Sequence, residues 1–199
     1  MPEVALNFSW IKKLFVDGKK PQFSIFDLPD SSKILDVSCG EGNLLKCLQN
    51  NNPSLRLYGL DISKKVIETA KARFPKINFC EGQAEALPFS EKSFKAVVTS
   101  MALHHYKNPK EVFKEIARVL EPEGLCYLVD YVPKNKWSQR LNNLFGCHEP
   151  YHFEKYYTSQ EIEDIASSEG LKFIAKNEIN FFYAQTRMVF IKINYFRNL

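Results

Sequence analysis

Short apolar runs recur along the chain and alternate with segments whose apolar residues are spaced three and four positions apart. Short runs bounded by turn residues predict buried strands, whereas the wider spacing predicts amphipathic helices. We therefore predict strands at residues 33–37, 56–60, 77–80, 96–100 and 125–131. Helices are predicted to begin near Gly42, Ser63 and Pro109. Strands that alternate with helices predict a parallel sheet covered by helices on both faces.

The C-terminal part of the chain departs from this alternation. Thr158 and Glu161 form a capping-box pattern that predicts a helix ending at Gly170. The runs 171–178 and 181–193 follow, and too few residues separate them for a helical crossover, so they should pair antiparallel. We predict a single α/β domain over residues 1–199, with a mostly parallel sheet and an antiparallel C-terminal strand. A further amphipathic helix is predicted at residues 10–15.

Composition narrows the class of protein. With 199 residues, 45% of them hydrophobic, the chain can bury one substantial core. Its net charge of +4 is spread along the sequence, so no nucleic-acid partner is expected. Its 5 cysteines form no C-x-x-C pair, which predicts reduced thiols in the cytoplasm. No apolar run approaches the roughly 18 residues that a membrane span needs, and no signal peptide is recognisable.

The turn after the first predicted strand carries the candidate chemistry. Gly40 and Gly42 leave no side chain between backbone and ligand, and a helix N-terminus follows with free N–H groups. Asp61 lies at the tip of the next predicted strand, where a carboxylate can accept hydrogen bonds from the hydroxyls of a ribose. This order of elements predicts a nucleotide site. A dinucleotide fingerprint would need Gly or Ala at Leu45, and no Walker-type run exists, so NAD and triphosphate sites are disfavoured.

Small residues stand at every second position after Asp36, namely Ser38, Gly40 and Gly42. This run resembles the first motif of class I S-adenosylmethionine-dependent methyltransferases. The resemblance continues in linked order from residue 31 to 132, through GQAEALPF at 82–89, SFKAVV at 93–98, LHH at 103–105 and IARVLEPEG at 116–124. It implies a Rossmann-like, seven-stranded, mostly parallel sheet, S-adenosyl-L-methionine as cofactor, and in-line methyl transfer to a small-molecule acceptor.

The resemblance also implies which residues hold the cofactor. Asp36 would organise the turn and the methionine amino group, and Asp61 would hold the ribose. The backbone at the two turn glycines would admit the methionine part, and the residues at 83 and 84 would flank adenine. The implied cofactor-binding residues are Asp36, Ser38, Gly40, Gly42, Asp61, Ile62, Gln83, Ala84 and Ser100.

Two positions depart from the family pattern. Ser38 stands where the family usually carries its first glycine, and Gln83 stands where it usually carries an Asp that accepts from the adenine amino group. Serine is small enough for a tight turn, and a glutamine oxygen can still accept a hydrogen bond without charge assistance. The cofactor is therefore expected to fit, with weaker binding.

His105 and Tyr106 are the candidate catalytic residues on the acceptor side. His104 and His105 should close the fourth strand, and adjacent residues on an extended chain point to opposite sides, so only one of them can face the acceptor. A histidine that merely hydrogen-bonds to backbone is the alternative reading. Residues 99–102 lack the run of Asn or Asp, Pro, Pro and an aromatic residue that nucleobase aminomethyltransferases carry, so exocyclic amines of bases are not expected as acceptors.

The segment 133–157 is rich in aromatic residues and is interpreted either as a lid over the acceptor or as an ordinary connection. It contains His148-Glu149-Pro150-Tyr151-His152, which fits the H-E-x-x-H zinc pattern. Pro150 disfavours the helix that this pattern requires, so we expect no metal site. Three alternatives stay open: a cofactor-binding protein without turnover, a nucleotide-dependent oxidoreductase, and a zinc hydrolase.

Overall fold

The computed structural model describes residue 25 and residues 28–146, 154–180 and 185–192. The helix predicted at residues 10–15 and the H-E-x-x-H run lie outside these residues. The strands are β1 (Lys33–Val37), β2 (Arg56–Asp61), β3 (Asn78–Glu81), β4 (Phe94–Ser100), β5 (Leu120–Tyr131), β6 (Leu171–Asn180) and β7 (Gln185–Lys192). The α-helices are α1 (Asn43–Asn51), α2 (Lys64–Arg73), α3 (Pro109–Val119), α4 (Lys136–Gly146) and α5 (Ser159–Ser168).

The strands form one seven-stranded sheet in the order β3-β2-β1-β4-β5-β7-β6. Strands β1 to β5 are parallel, and β7 runs antiparallel to both β5 and β6. The predicted Rossmann-like fold with an antiparallel C-terminal strand is therefore confirmed. Because β1 lies between β2 and β4, the strand order reverses there, and a crevice opens beyond the carboxyl ends of the strands.

Each face of the sheet carries its own hydrophobic core, because successive strand residues point to opposite faces. Ile34 of β1 belongs to one core, together with residues of α1 and α2, whereas Leu35 and Val37 belong to the other, together with residues of α3 and α5. The buried sequence of β1 is thus apolar on both faces, as expected for a central parallel strand. The polar exception is Asp36, which lies within this strand.

Strand β5 and helix α4 differ most from the sequence-based prediction. Strand β5 begins at Leu120 rather than at residue 125, because buried Leu120 already pairs with Phe94 before the register shifts at Ala96. Helix α4 was not predicted, because its apolar residues do not mark a buried face. Asn135 accepts from the Ser138 N–H at 2.9 Å and thereby caps the first turn of α4.

The start of α5 provides a test of local stability. The Thr158 hydroxyl accepts from the Glu161 N–H at 3.4 Å, and the Glu161 carboxylate accepts from the Thr158 N–H at 2.9 Å. We expect Thr158→Ala to lower the free energy of unfolding by about 1 kcal/mol, because one orphan N–H of the helix loses its acceptor. Urea denaturation measures this loss. Ser167→Ala, at an exposed position near the end of α5, is the control and should stay within about 0.5 kcal/mol; an equal loss in both variants would contradict the capping account.

Candidate functional site

Asp61 joins the turn after β1 to the turn after β2. Its Oδ2 accepts from the Gly40 N–H at 2.9 Å, and its Oδ1 accepts from the Ser63 N–H at 3.0 Å. The Cys39 N–H donates to the Leu60 carbonyl at 2.9 Å, which adds a backbone link between the same two segments. Both turns are therefore held at the reversal point of the sheet, where ligands of open α/β sheets bind.

Ser38 has a left-handed backbone conformation, with φ of 62°. This explains why a glycine suits the position, since a side chain there costs about 1–2 kcal/mol. The Ser38 hydroxyl gains a partner that glycine lacks: it lies 3.0 Å from the Tyr106 hydroxyl, which in turn lies 2.9 Å from Thr99 Oγ1. The hydrogen-bonded chain Ser38–Tyr106–Thr99 connects the turn after β1 to β4, and this contact offsets part of the backbone strain.

Asp36 is the polar group whose surroundings most require a ligand. Its side chain is 3% exposed, and its Oδ1 has no hydrogen-bond partner among the described residues. Burial, and secondarily the nearby Asp61 charge, raises the pKa of Asp36 to about 8. A buried carboxylate oxygen without a partner is costly, so the site favours a donor or a cation that completes it. The ammonium group of an amino acid is both a hydrogen-bond donor and a cation.

The remaining predicted cofactor residues also lie near the carboxyl ends of the strands. Gly40, at φ of 53°, has open space where a Cβ would stand, whereas a Cβ at Gly42 would lie 2.5 Å from the Phe79 ring. Ile62 directly follows β2 and is 70% exposed, so an apolar side chain borders the crevice. The last three residues of the predicted set follow β3 or end β4: exposed Gln83, buried Ala84 and half-buried Ser100.

The prediction that His104 and His105 extend β4 with opposite orientations is wrong. Strand β4 ends at Ser100, and Leu103–His105 form a 3-10 turn. In this turn the two imidazole centroids lie 4.0 Å apart. The tight turn replaces the two-residue period of a strand, so the two rings lie side by side.

His104 is buried and is held by Asp130, near the end of β5. Its Nδ1 lies 2.6 Å from Asp130 Oδ1, and Asp130 Oδ2 accepts from the Leu103 N–H at 2.8 Å. The His104 ring also packs near Tyr131 and Tyr156, with centroids 6.3 and 5.3 Å away. Asp130 thus fixes both the backbone of the 3-10 turn and the ring of His104. The rings of His104, His105, Tyr131 and Tyr156 together form an aromatic wall.

Asp130 is not among the predicted site residues, and Tyr156 is predicted only as one of the aromatic residues of the segment 133–157. An acidic residue at the end of an otherwise apolar strand was the available signal for Asp130. Tyr156 becomes a site residue through tertiary contacts: its N–H donates to Asn143 Oδ1 at 2.8 Å, and its carbonyl accepts from Gln139 Nε2 at 2.8 Å. Within the part of the chain that the structure describes, no group of three metal-ligating side chains occurs. The same part contains no helix long and apolar enough to cross a bilayer.

Comparison with known sequences finds a family described as a methyltransferase domain over residues 35–128. The chain is 28% identical over 155 residues to a demethylmenaquinone methyltransferase of Chlorobaculum tepidum. This alignment covers 73% of this chain and 64% of that protein. It is 31% identical over 140 residues to a ubiquinone/menaquinone biosynthesis C-methyltransferase of Desulfotalea psychrophila. This alignment covers 67% of this chain and 57% of that protein. The chain therefore spans less than two thirds of either relative.

Solved structures share the fold at low sequence identity. The YcgJ protein of Bacillus subtilis superposes with a TM-score of 0.73 at 19% identity and covers 84% of this chain and 94% of its own. A SAM-dependent methyltransferase of Methanosarcina mazei gives 0.71 at 20% identity and covers 83% and 94%. The [4+2]-cyclase SpnF gives 0.70 at 15% identity and covers 83% and 77%. These likenesses establish the fold.

The raised pKa of Asp36 predicts a pH-dependent stability. In the folded chain Asp36 keeps its proton up to about pH 8, whereas an unfolded aspartate releases it near pH 4. Between these values the folded state binds more protons, so stability falls as the pH rises. The stability of the wild type relative to Asp36→Asn should therefore fall from roughly pH 5 to pH 8, by up to about 1.4 kcal/mol per pH unit.

Urea unfolding of both proteins across this pH range measures that difference. Asp164→Asn on the exposed surface of α5 is the matched control for loss of a carboxylate. A stability difference between wild type and Asp36→Asn that stays constant with pH would contradict the assignment of a raised pKa to this residue.

Proposed function

We propose that the protein transfers a methyl group from S-adenosyl-L-methionine to a small-molecule acceptor. Residues 35–128 match a methyltransferase-domain family, and the chain shares its fold with a SAM-dependent methyltransferase. The buried Asp36 carboxylate with an unsatisfied oxygen, beside open space at Gly40, is the observation that carries the proposal. It matches an ammonium-bearing ligand seated on a glycine turn.

The residues at the strand ends fit this cofactor. Asp36 would accept from the methionine ammonium group, whose positive charge would favour the ionised form of this otherwise protonated carboxyl. Ile62 would cover an apolar face of the adenine. Each oxygen of Asp61 already accepts one backbone N–H and keeps a second lone pair, so the carboxylate can also accept ribose hydroxyls. Gln83 and Ala84 would flank the adenine edge. When bound, the cofactor supplies an activated sulfonium methyl group, so the protein mainly has to align the acceptor with it.

The acceptor would face the aromatic wall formed by His104, His105, Tyr131 and Tyr156. We propose His105 as the residue that holds or removes an acceptor proton, since His104 is committed to Asp130. Tyr106 was proposed beside it, but its hydroxyl lies between Ser38 and Thr99, and burial raises its pKa. We therefore assign Tyr106 the role of supporting the cofactor turn.

A planar ring of the quinone type is the acceptor class that we favour. The relatives named above act on demethylmenaquinone or in ubiquinone/menaquinone biosynthesis. Aromatic side chains bind planar rings through stacked or edge-to-face contacts. The half-buried rings of His105 and Tyr131, which pack on buried His104 and Tyr156, provide such surfaces. We further propose that residues 133–157 cover this acceptor, and that the protein works in the cytoplasm, where the thiols of Cys39, Cys80 and Cys126 stay reduced.

A cofactor-binding protein with different chemistry is the second candidate. The [4+2]-cyclase SpnF has this fold, and a shared fold does not determine the reaction. The departures at Ser38 and Gln83 are in keeping with that alternative. Transfer of labelled methyl groups to reduced quinones separates the two: turnover supports the methyltransferase, and cofactor binding without turnover on any acceptor supports the alternative.

Cofactor choice is testable by calorimetry on the full chain. We expect S-adenosylhomocysteine to bind and to raise the melting temperature, because a ligand that binds only the folded state stabilises it. NAD should produce no shift, since position 45 carries Leu where a dinucleotide turn needs a small residue. A shift with NAD and none with S-adenosylhomocysteine would overturn the proposal in favour of an oxidoreductase.

The two turn glycines should separate binding from stability. Gly40→Ala should cost about 1 kcal/mol of stability because of its positive φ, yet lower the affinity for S-adenosylhomocysteine at least about tenfold by occupying ligand space. Gly42→Ala should lose about 1–3 kcal/mol more through overpacking against Phe79, since the added Cβ would lie 2.5 Å from the ring. Melting curves and titrations measure both effects, and normal ligand affinity in Gly40→Ala would contradict the proposed cofactor position.

A further inference from the structure

Helix α4 has an inverted pattern of polar and apolar residues. Its inward side consists of amides: Gln139 is 6% exposed and Asn143 is half-buried. Its outward side is apolar, with Trp137 71%, Leu141 37% and Leu144 66% exposed. These three residues follow the i, i+4, i+7 spacing of a single helical face. They are the largest concentration of exposed large apolar side chains in the described part of the chain, where Ile62 is the other example.

The orientation of α4 is enforced by hydrogen bonds. Gln139 Nε2 donates to the Tyr156 carbonyl at 2.8 Å and also to the Glu161 carboxylate, while Asn143 Oδ1 accepts from the Tyr156 N–H at 2.8 Å. Rotating the helix to bury its apolar side would break these bonds and leave buried polar groups unsatisfied, which is unfavourable. The apolar side therefore stays exposed for a reason built into the fold.

Cationic residues border this apolar face. Lys134, Lys136 and Arg140 are exposed, and residues 132–146 contain no acidic residue. A helix with an apolar face and a basic border is the pattern of a helix that lies in the interface of an anionic lipid membrane. A second copy of the chain is the less suitable occupant, because a two-fold interface would bring these cations against themselves.

We propose that α4 is a membrane-surface helix that docks on anionic phospholipid, with Trp137, Leu141 and Leu144 entering the headgroup region and Lys136 and Arg140 contacting the headgroups. This inference is independent of the proposed methyl transfer, but it has a consequence for it. Tyr156, which α4 holds, belongs to the aromatic wall near His104. Docking of α4 would thus bring the acceptor side close to the lipid surface, from which an apolar acceptor could enter.

Vesicle co-sedimentation of the full chain tests the proposal without any activity measurement. We expect binding to vesicles of phosphatidylcholine with phosphatidylglycerol, weaker binding to phosphatidylcholine alone, and loss of binding at high salt. Trp137→Ser with Leu141→Ser should abolish binding, and Lys136→Glu with Arg140→Glu should weaken it at least about tenfold. Lys71→Glu with Lys76→Glu is the charge-matched control at exposed positions near the β3 edge of the sheet and should bind like wild type.

Two further measurements keep the outcome decisive. Circular dichroism melting curves and the thermal shift with S-adenosylhomocysteine verify that each variant is folded, so loss of vesicle binding is separable from failure of the proposed function. The proposal would be overturned if wild-type protein does not bind anionic vesicles, or if the variant with Trp137 and Leu141 replaced binds them as well as wild type. A dimer that the Trp137 and Leu141 substitutions convert to a monomer would also overturn it, because a second copy would then cover the face.

Discussion

The Asp61 carboxylate holds the site together by accepting backbone N–H groups from Gly40 and Ser63. These bonds fix the turn after β1 against the turn after β2 where the strand order of the sheet reverses. Because the turns leave the sheet at its carboxyl edge, their conformation sets the shape of the crevice. The left-handed residues Ser38 and Gly40 can be maintained there since the neighbouring backbone is already anchored.

Buried polar groups at the strand ends divide the crevice into two halves. On the half that we propose for the cofactor, Asp36 remains with an unsatisfied oxygen. On the half that we propose for the acceptor, Asp130 is fully engaged with His104 and with the backbone of the 3-10 turn. The difference is chemical: a carboxylate whose partners are supplied by the protein positions other residues, whereas a carboxylate that lacks one is prepared for a ligand. Tyr106 lies between the two halves and links Ser38 to Thr99.

Helix α4 shows how the same principle can expose an apolar surface. Its amides are satisfied by the backbone of Tyr156, so the helix faces the domain with its polar side. The segment around Tyr156, which we propose as part of the acceptor side, is therefore held to α4 by hydrogen bonds. This arrangement leaves Trp137 and Leu141 exposed at the surface. The basic residues beside them favour binding to an anionic lipid surface.

The sequence by itself determined the parallel strands, the helices other than α4 in the described part of the chain, the antiparallel C-terminal pair, and the turn after β1 that carries Gly40 and Gly42. Local periodicity and turn chemistry are sufficient for these features, because each depends on residues that are close in the chain. Tertiary structure alone decided the rest. The 3-10 turn at His104 depends on Asp130, which is distant in sequence, and the orientation of α4 depends on hydrogen bonds to Tyr156. Contacts between remote residues can reverse a local pattern, since satisfying a buried polar group outweighs the preference of an apolar face for the interior.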